Sequence, residues 1–257
     1  MRRIVLTIAL LLAVSACWLL PLYAGRSFNG SSDIINVPST GNALDISTGP
    51  EVISFWMYPT TIPGTNDHYP LSDYGSQGQF VIGFGACGGG CSTAGVLGFA
   101  EGTNFSLTGV RGSCGTYTAN TWYQVTYYVD PAGTLQGSPT AGMLVSGGTS
   151  CTSIQSFREN RVAGIGLFQV GGANNGDFFQ GVVAEVAVWN VLMTAGQMTA
   201  LQTVCPTGAS ARRMSLPNPV GYLPLYGVHS PEPDLSGNKY NGTLTGTAAA
   251  NHPPCTP

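Results

Sequence analysis

The sequence predicts an all-β protein, an antiparallel sandwich with one short helix towards the C-terminal end. Short apolar runs recur along the 257 residues with Gly, Pro or Asn between them, the pattern of strands joined by turns rather than of alternating strands and helices. Apolar residues make up 43% of the chain against 8% charged, too apolar for a disordered chain. The 36 glycines and 17 prolines supply the backbone angles that many turns require. One segment reads as a helix. Thr194-Ala-Gly-Gln197 has capping-box spacing, in which a hydroxyl and an amide satisfy backbone donors at a helix start, and the helix is expected to run through about Val204.

The first 24 residues read as an export signal. Arg2 and Arg3 precede an uncharged run from Ile4 to Ala24, the charged-then-apolar layout of a secretory leader. Leu22-Tyr23-Ala24 before Gly25 offers a cleavage site, and Val14-Ser15-Ala16-Cys17 resembles a bacterial lipobox. The run of about 21 residues is also long enough to span a bilayer uncleaved. All three outcomes place residues 25–257 outside the cytoplasm, secreted or at the cell surface, touching a membrane only through a retained or lipidated N-terminal segment.

Strands are expected over Val52–Tyr58, Gln79–Phe84, Val96–Ala100, Phe105–Val110, Trp122–Val129, Met143–Val145, Val162–Val170 and Val182–Trp189, with no long linker or internal repeat between them. In the last, a period of two puts Val182, Ala184, Val186 and Val188 on a core-facing stripe. Val183, Glu185, Ala187 and Trp189 then share the opposite face, where Glu185 is a lone carboxylate.

Setting Cys17 aside leaves six cysteines: Cys87, Cys91, Cys114, Cys151, Cys205 and Cys255. An even number in an exported chain argues for disulfides, in any of fifteen connectivities. Cys87 and Cys91, three glycines apart, could close a hairpin tip on itself. Cys205 after the helix and Cys255 near the terminus could tie down the tail, which would leave Cys114 with Cys151. The Cys-x3-Cys spacing has no second pair to make a zinc site. Charge excludes another class of partner. The chain carries a net −3, Lys239 is its only lysine, and nucleic acid would need a basic surface.

Four motifs follow one another in a recognisable order: SFNGSSDIINVP (Ser27–Pro38), VISFWMYP (Val52–Pro59), NTWYQVTYYVD (Asn120–Asp130) and FFQGVVAEVAVWNVLMTAGQMTAL (Phe178–Leu201). Together they resemble the laminin-G-like jellyroll domains of the concanavalin A-like lectin/glucanase superfamily, over roughly Arg26–Thr247. A further segment, residues 220–247, is similar to an Asp-x-Ser-Gly-Asn…Asn-Gly-Thr stretch of such proteins. There it commonly precedes the first strand; here it follows the helix and is expected to complete the sandwich, with the tail held by Cys255. The resemblance implies a two-sheet antiparallel jellyroll β-sandwich. It leaves the activity open, because the superfamily includes lectins, glycosidases, adhesion modules and spacers.

Glycoside hydrolysis needs two carboxylates, about 5–5.5 Å apart for retention and about 6.5–9.5 Å for inversion. The glucanase branch supplies them from one strand as Glu-x-Asp-x-x-Glu, whereas here Ala187 stands two residues after Glu185. Glu232 and Asp234 are two apart, but in the Pro-rich SPEPDLSG, expected as a rigid, solvated loop. His68, His229 and His252 belong to no nucleophile elbow or metal-binding pair, and no phosphate-binding helix follows GFGACGGGCSTAG. No catalytic residue is assigned, and the protein is expected not to be an enzyme.

Sugars are held by aromatic faces and polar side chains. Tyr58 is one candidate; His68, Tyr69, Asp73 and Tyr74, in TNDHYPLSDYG, form a group expected on a rim loop. Glu185 and Trp189 join them from the outer face of the last strand, while Trp56 and Trp122 are expected to pack in the core. Asp33, Asp177, Asp234 and Asn238 are turn oxygens suited to calcium, and the resemblance implies a structural Ca2+ near the sandwich edge. The sequence therefore predicts an exported, non-catalytic carbohydrate-binding or surface-recognition module, with an extracellular glycan or surface protein as partner. The alternatives are a structural subunit of an extracellular assembly or filament, and a divergent glycoside hydrolase.

Overall fold

A computed structural model of the chain describes residues 23–39, 41, 43–44, 49–64, 68–73, 80–85, 95–101, 111–147, 150–153, 167–173, 176–205, 215–251 and 253–255. Residues 1–22 of the leader, Tyr74, Cys87, Cys91, His252 and the strand expected over Phe105–Val110 lie outside the described residues.

Among the described residues, fifteen strands form two sheets. The larger runs β10 (Cys151–Ser153), β9 (Thr140–Val145), β8 (Tyr123–Asp130), β3 (Glu51–Pro59), β12 (Gln180–Trp189), β1 (Tyr23–Asn29) and β15 (Ala248–Asn251), and β13 (Gly221–Leu223) pairs with β12 beside β1. The smaller runs β14 (Thr243–Thr245), β2 (Ile34–Val37), β11 (Phe168–Val170), β4 (His68–Asp73), β5 (Phe80–Phe84), β6 (Val96–Glu101) and β7 (Arg111–Thr116). Each ladder between these strands is antiparallel. This is the two-sheet antiparallel jellyroll sandwich that the sequence predicts.

Alternation along the strands makes the core. Ile53, Phe55 and Met57 of β3 and Val125, Tyr127 and Val129 of β8 face Leu71, Phe80, Ile82, Phe84, Leu97 and Phe99 from the other sheet, and all are buried. The Phe80 ring stacks on Tyr127 at 6.1 Å. Burying such a side chain contributes about 1.5–3 kcal/mol, so this interior supplies most of the driving force for closing the sandwich.

The two long edges of the sandwich are tied differently. Cys114 of β7 and Cys151 of β10 form a disulfide that joins the last strand of one sheet to the last strand of the other. At the opposite edge, β14 and β15 belong to different sheets and are connected through Gly246 and Thr247 alone. A second disulfide joins Cys205 to Cys255. Two disulfides in a domain of this kind fit an oxidising, extracellular setting.

The capping box forms as expected: Thr194 Oγ1 accepts from Gln197 N at 3.2 Å, and Gln197 Oε1 accepts from Thr194 N at 3.0 Å. The helix, α1 (Ala195–Ala200), stops four residues before the expected Val204. The chain tightens there into a turn, with Gln202 N bonding Thr199 O and Thr203 N bonding Ala200 O.

Two loop expectations are corrected. His68–Asp73 is not a rim loop but β4, paired to β11 on one side and β5 on the other. Pro70 disguises it, because proline lacks the N–H that a central strand donates. A bulge between His68 and Leu71 accommodates the ring. Across from it, a Cβ on Gly83 would fall 2.3 Å from His68 O and 2.8 Å from Pro70 Cδ.

Glu232 and Asp234 are likewise not solvated: they are 0% and 7% exposed. The Arg26 guanidinium of β1 meets Glu232 Oε2 at 2.9 Å, with its own exposure also low, and bonds the His229 carbonyl. Asp234 accepts from Tyr222 N, Ser236 N, Ser236 Oγ and Tyr240 N at 2.8–2.9 Å. A carboxylate so supplied with donors is stable away from water.

Gly83→Ala should therefore destabilise the protein by about 1–3 kcal/mol through overpacking at the β4 bulge. Gly64→Ala, with nothing within 4 Å of its new methyl group, should change stability by less than about 0.5 kcal/mol. Paired denaturant curves measure both, and equal effects would refute the steric account.

Candidate functional site

The outer face of the larger sheet is built from rows across three strands. In register across β12, β3 and β8 lie Trp189, Val52 and Tyr128; then Ala187, Ser54 and Thr126; then Ala184, Trp56 and Gln124. Val182 and Tyr58 begin the fourth row, where Trp122 brings its ring against Tyr58. These rows run from a covered end to an open one.

Met193, Met198 and Leu201, from α1 and its flanks, roof the first row together with Tyr222 of β13. Ser54 and Thr126 are buried beneath, bonded to Gln124 Nε2 at 2.8 and 2.7 Å. The Cys205–Cys255 disulfide packs with Trp56 and Ala184 on the third row. Past it, Tyr58, Trp122 and Val182 are half-exposed. The Tyr58 and Trp122 rings are 5.4 Å apart and tilted by 51°, and Trp56 props Trp122 edge-on at 6.5 Å.

The polar surroundings of this corner are uncharged. Thr60 donates from its backbone to the Gln180 carbonyl at 3.1 Å, and Thr61 Oγ1 donates to Gln180 Oε1 at 3.0 Å. Asn120, in the left-handed region at φ 59°, turns the chain into Trp122 and donates to Pro59 O at 2.7 Å. Thr60, Thr61, Asn120, Thr121 and Gln180 are exposed.

Glu185 lies behind this corner, in a break of the strand it belongs to. Ala184 pairs with Trp56 and Ala187 with Ser54, so Glu185 and Val186 together oppose Phe55. That β-bulge shifts the alternation by one. Val183, Val186 and Val188 face the core, whereas Val182 and Ala184 face outward with Ala187 and Trp189. The uniform Val182-to-Val188 core stripe expected from strict alternation is corrected accordingly. Glu185 takes φ 55° and donates its N–H to Pro224 O at 3.3 Å. Its carboxylate, in a residue 2% exposed, accepts from Tyr222 Oη at 2.5 Å. It also lies close to both disulfide sulfurs: all three donor atoms are within 4.8 Å of one another.

Burial pushes the Glu185 carboxyl up to about 7, and the Tyr222 hydrogen bond offsets part of that rise. Burial, then the charges of Glu185 and Glu232, raise the Tyr226 phenol.

The remaining candidates are scattered. His68 Nδ1 donates to the Phe178 carbonyl at 2.6 Å. Tyr69 packs on Val81, Ala100 and Ala173 at 6% exposure. Asp73 is buried on the core side, where Ser39 Oγ donates to it at 3.4 Å. Trp189 is fully buried and donates from Nε1 to Pro217 O at 2.8 Å, so it cannot meet a ligand from solvent.

The turn oxygens considered for calcium come from three parts of the chain, with Asp234 and Asn238 sharing the last. Asp33 Oδ2 accepts from Asn29 N at 3.1 Å, Asp177 accepts from Tyr69 N through its carbonyl at 3.2 Å, and Asn238 donates to Val220 O at 2.8 Å. Among the described residues, Glu185 with Cys205 and Cys255 is the only convergence of three carboxylate, imidazole or thiol groups. Sequence reasoning missed Tyr222 as the partner of Glu185 and Trp122 as a surface ring. It also missed the burial of Glu51 and Glu101, each 1% exposed at the end of a core-facing strand.

The raised carboxyl makes stability depend on pH. Between the ordinary value of 4.5 and about 7, the folded state keeps a proton that the unfolded chain releases, so this group lowers stability as pH rises through that window and is level above it. The displacement is worth on the order of 3 kcal/mol. Glu185→Gln removes the titration, so between pH 4 and pH 8 the variant should gain about that much relative to wild type. A difference that stays constant with pH refutes the assignment.

The family model of the concanavalin A-like lectin/glucanases superfamily matches residues 29–199, from the β1 terminus into α1. Among solved structures, a native heptameric SAP-like pentraxin from Limulus polyphemus is similar with a TM-score of 0.50 at 16% identity, over 71% of this chain and 82% of that one. Domain 4 of AbnA, a GH43 extracellular arabinanase from Geobacillus stearothermophilus in complex with arabinotriose, gives 0.48 at 18% identity, over 69% and 75%. No curated protein matches the sequence. The pentraxin likeness concerns the fold alone, but the family match spans well over half of the residues and includes the bulged strand that carries Glu185. The chain belongs to the concanavalin A-like lectin/glucanases superfamily.

Proposed function

We propose that the protein is an exported, non-catalytic carbohydrate-binding module that takes uncharged glycans at the Tyr58–Trp122 corner. The supporting observation is the half-exposed aromatic pair at the open end of a sheet face that is otherwise covered. Fixed rings present apolar faces to the C–H groups of a sugar, and little side-chain freedom is lost on binding because Trp56 and the neighbouring strands already hold them. The exposed hydroxyls and amides of Thr60, Thr61, Asn120, Thr121 and Gln180 are suited to sugar hydroxyls.

The same rim selects against anionic glycans. A sulfate or carboxylate is bound through arginine or lysine; none is among those rim residues, and the whole chain is net negative. Glu185, the acid that a glycosidase reading would recruit, is closed off beneath the disulfide. General acid catalysis requires the carboxyl to reach the scissile oxygen, so this acid is assigned a role in holding the scaffold.

A glycan array, run with and without EDTA, tests the proposal: neutral oligosaccharides should be retained in both conditions and sulfated ones ignored. Trp122→Ala and Tyr58→Ala should each weaken binding at least tenfold, about 1.4 kcal/mol, while circular dichroism stays unchanged. Raising salt to 0.5 M should leave affinity intact. Polysaccharides incubated with the protein should release no reducing ends. Selective binding of sulfated glycans, or full binding by both variants, refutes the site. Silence on the array combined with salt-resistant self-assembly in sedimentation would favour a structural subunit. The observation pointing that way is the edge strand β15, whose Ala248, Ala249 and Asn251 are exposed and uncharged.

A further inference from the structure

Three side chains from distant parts of the chain meet at the covered part of this face. Glu185 comes from the bulge of β12, Cys205 from the turn after α1 and Cys255 from the tail; one donor atom of each lies within 4.8 Å of the others, and all three are buried. In the oxidised protein the sulfurs are bonded to each other and have no thiolate charge to offer. A dithiol reductant changes that: it passes two electrons to the disulfide, becomes a cyclic disulfide itself and leaves Cys205 and Cys255 as two thiols.

We propose that reduction turns this staple into a Zn2+ site formed by Cys205, Cys255 and Glu185, with the metal holding the C-terminal tail where the disulfide held it. The donor set is the first support. Two thiolates and a carboxylate, with a water as fourth ligand, complete a tetrahedral zinc centre, and the sulfurs select zinc over calcium or magnesium. The spacing is the second. Zinc ligands at about 2.0–2.3 Å stand roughly 3.3–3.8 Å from one another around a tetrahedron. The carboxylate oxygen lies within 4.8 Å of both sulfurs, and sulfurs bonded at about 2 Å need only part by an ångström or two to reach that spacing. The third support is the hydrogen bond from Tyr222 Oη to Glu185, 2.5 Å, which orients the carboxylate as outer partners of metal ligands do. On binding, each thiol and the carboxyl give any proton they hold to solvent, and the cation offsets two of the three negative charges of the buried donors.

The test uses the full chain in a Cys87→Ser/Cys91→Ser background, so that those cysteines cannot contribute, reduced with a phosphine and titrated with Zn2+ against a chromogenic chelator. One equivalent should bind and be absent from Cys205→Ser/Cys255→Ser, and Glu185→Gln should weaken it at least tenfold. Zinc should raise the melting temperature of the reduced protein and leave the oxidised protein unchanged. Equal zinc uptake with and without Cys205 and Cys255, or unchanged affinity in Glu185→Gln, overturns the proposal. Should a variant fail to fold, alkylation of the reduced chain mapped by mass spectrometry decides the matter. In mild denaturant, where buried thiols become reachable, Zn2+ should slow the labelling of Cys205 and Cys255 and leave that of Cys114 and Cys151 unchanged; equal labelling of Cys205 and Cys255 with and without metal overturns the site.

Discussion

The extra residue in β12 is the constraint on which the surrounding structure depends. Before the bulge, residues 180–183 pair with β1; after it, residues 186–188 pair with β13. The N-terminal and C-terminal ends of the chain thus share one flank of the same central strand, and the bulge is where one gives way to the other. Pro224 marks the handover by accepting the Glu185 N–H, a backbone donor that neither ladder takes up. Holding a non-glycine residue at φ 55° costs on the order of 1 kcal/mol. The two ladders, Tyr222 and the disulfide together over-determine the position, which is why the cost is tolerated.

From that handover the C-terminal segment reaches both sheets. It places β13 on β12, lays Glu232 against Arg26, adds β14 to β2 and β15 to β1, and finally returns Cys255 to the outer face. A buried ion pair is weak evidence for net stability, because desolvation cancels much of the attraction. Arg26–Glu232 matters for placement: an unpaired Glu232 inside the protein would be costly, so the segment docks only where the guanidinium is. Asp234 acts likewise at the next turn. Once its oxygens accept from the backbone at Tyr222 and Tyr240, the loop from 234 to 240 has few other conformations available.

Fold class was legible because it rests on repetition. Eight apolar runs and a capping box survive one or two misread residues, and the strands that seven of those runs mark among the described residues supply the core of both sheets. Elements whose pairing comes from distant partners were not legible. β4 carries a proline, and only its neighbours show how a bulge and the absence of a side chain at Gly83 accept it. β13, β14 and β15 are three or four residues long and rich in Gly, Thr and Ala, with nothing in their composition to separate them from loops. Strict alternation failed in β12 because a bulge is invisible in a run of small apolar residues, all equally acceptable on either face. The same limit applies to the site. Tyr58 stands out by type, but the exposure of Trp122 and the burial of Trp189 depend on where α1 and the tail come to rest, which periodicity does not encode.

The partition of the outer face follows from that cover. Along β3, Val52, Ser54, Trp56 and Tyr58 point the same way, yet exposure rises only at the last. The helix and the disulfide cover the first three rows and stop. An acid placed two rows further out would have met solvent, kept an ordinary carboxyl affinity for protons and stood beside the rings. Glu185 is instead enclosed where its charge is disfavoured, with a phenol and two sulfurs for neighbours. One sheet face therefore carries two chemically distinct regions separated by Trp56: an open aromatic corner shaped for contact with a partner, and a closed polar centre that holds the tail. The disulfide is common to both, since its sulfurs lie against Glu185 on one side and Trp56, the support of Trp122, on the other.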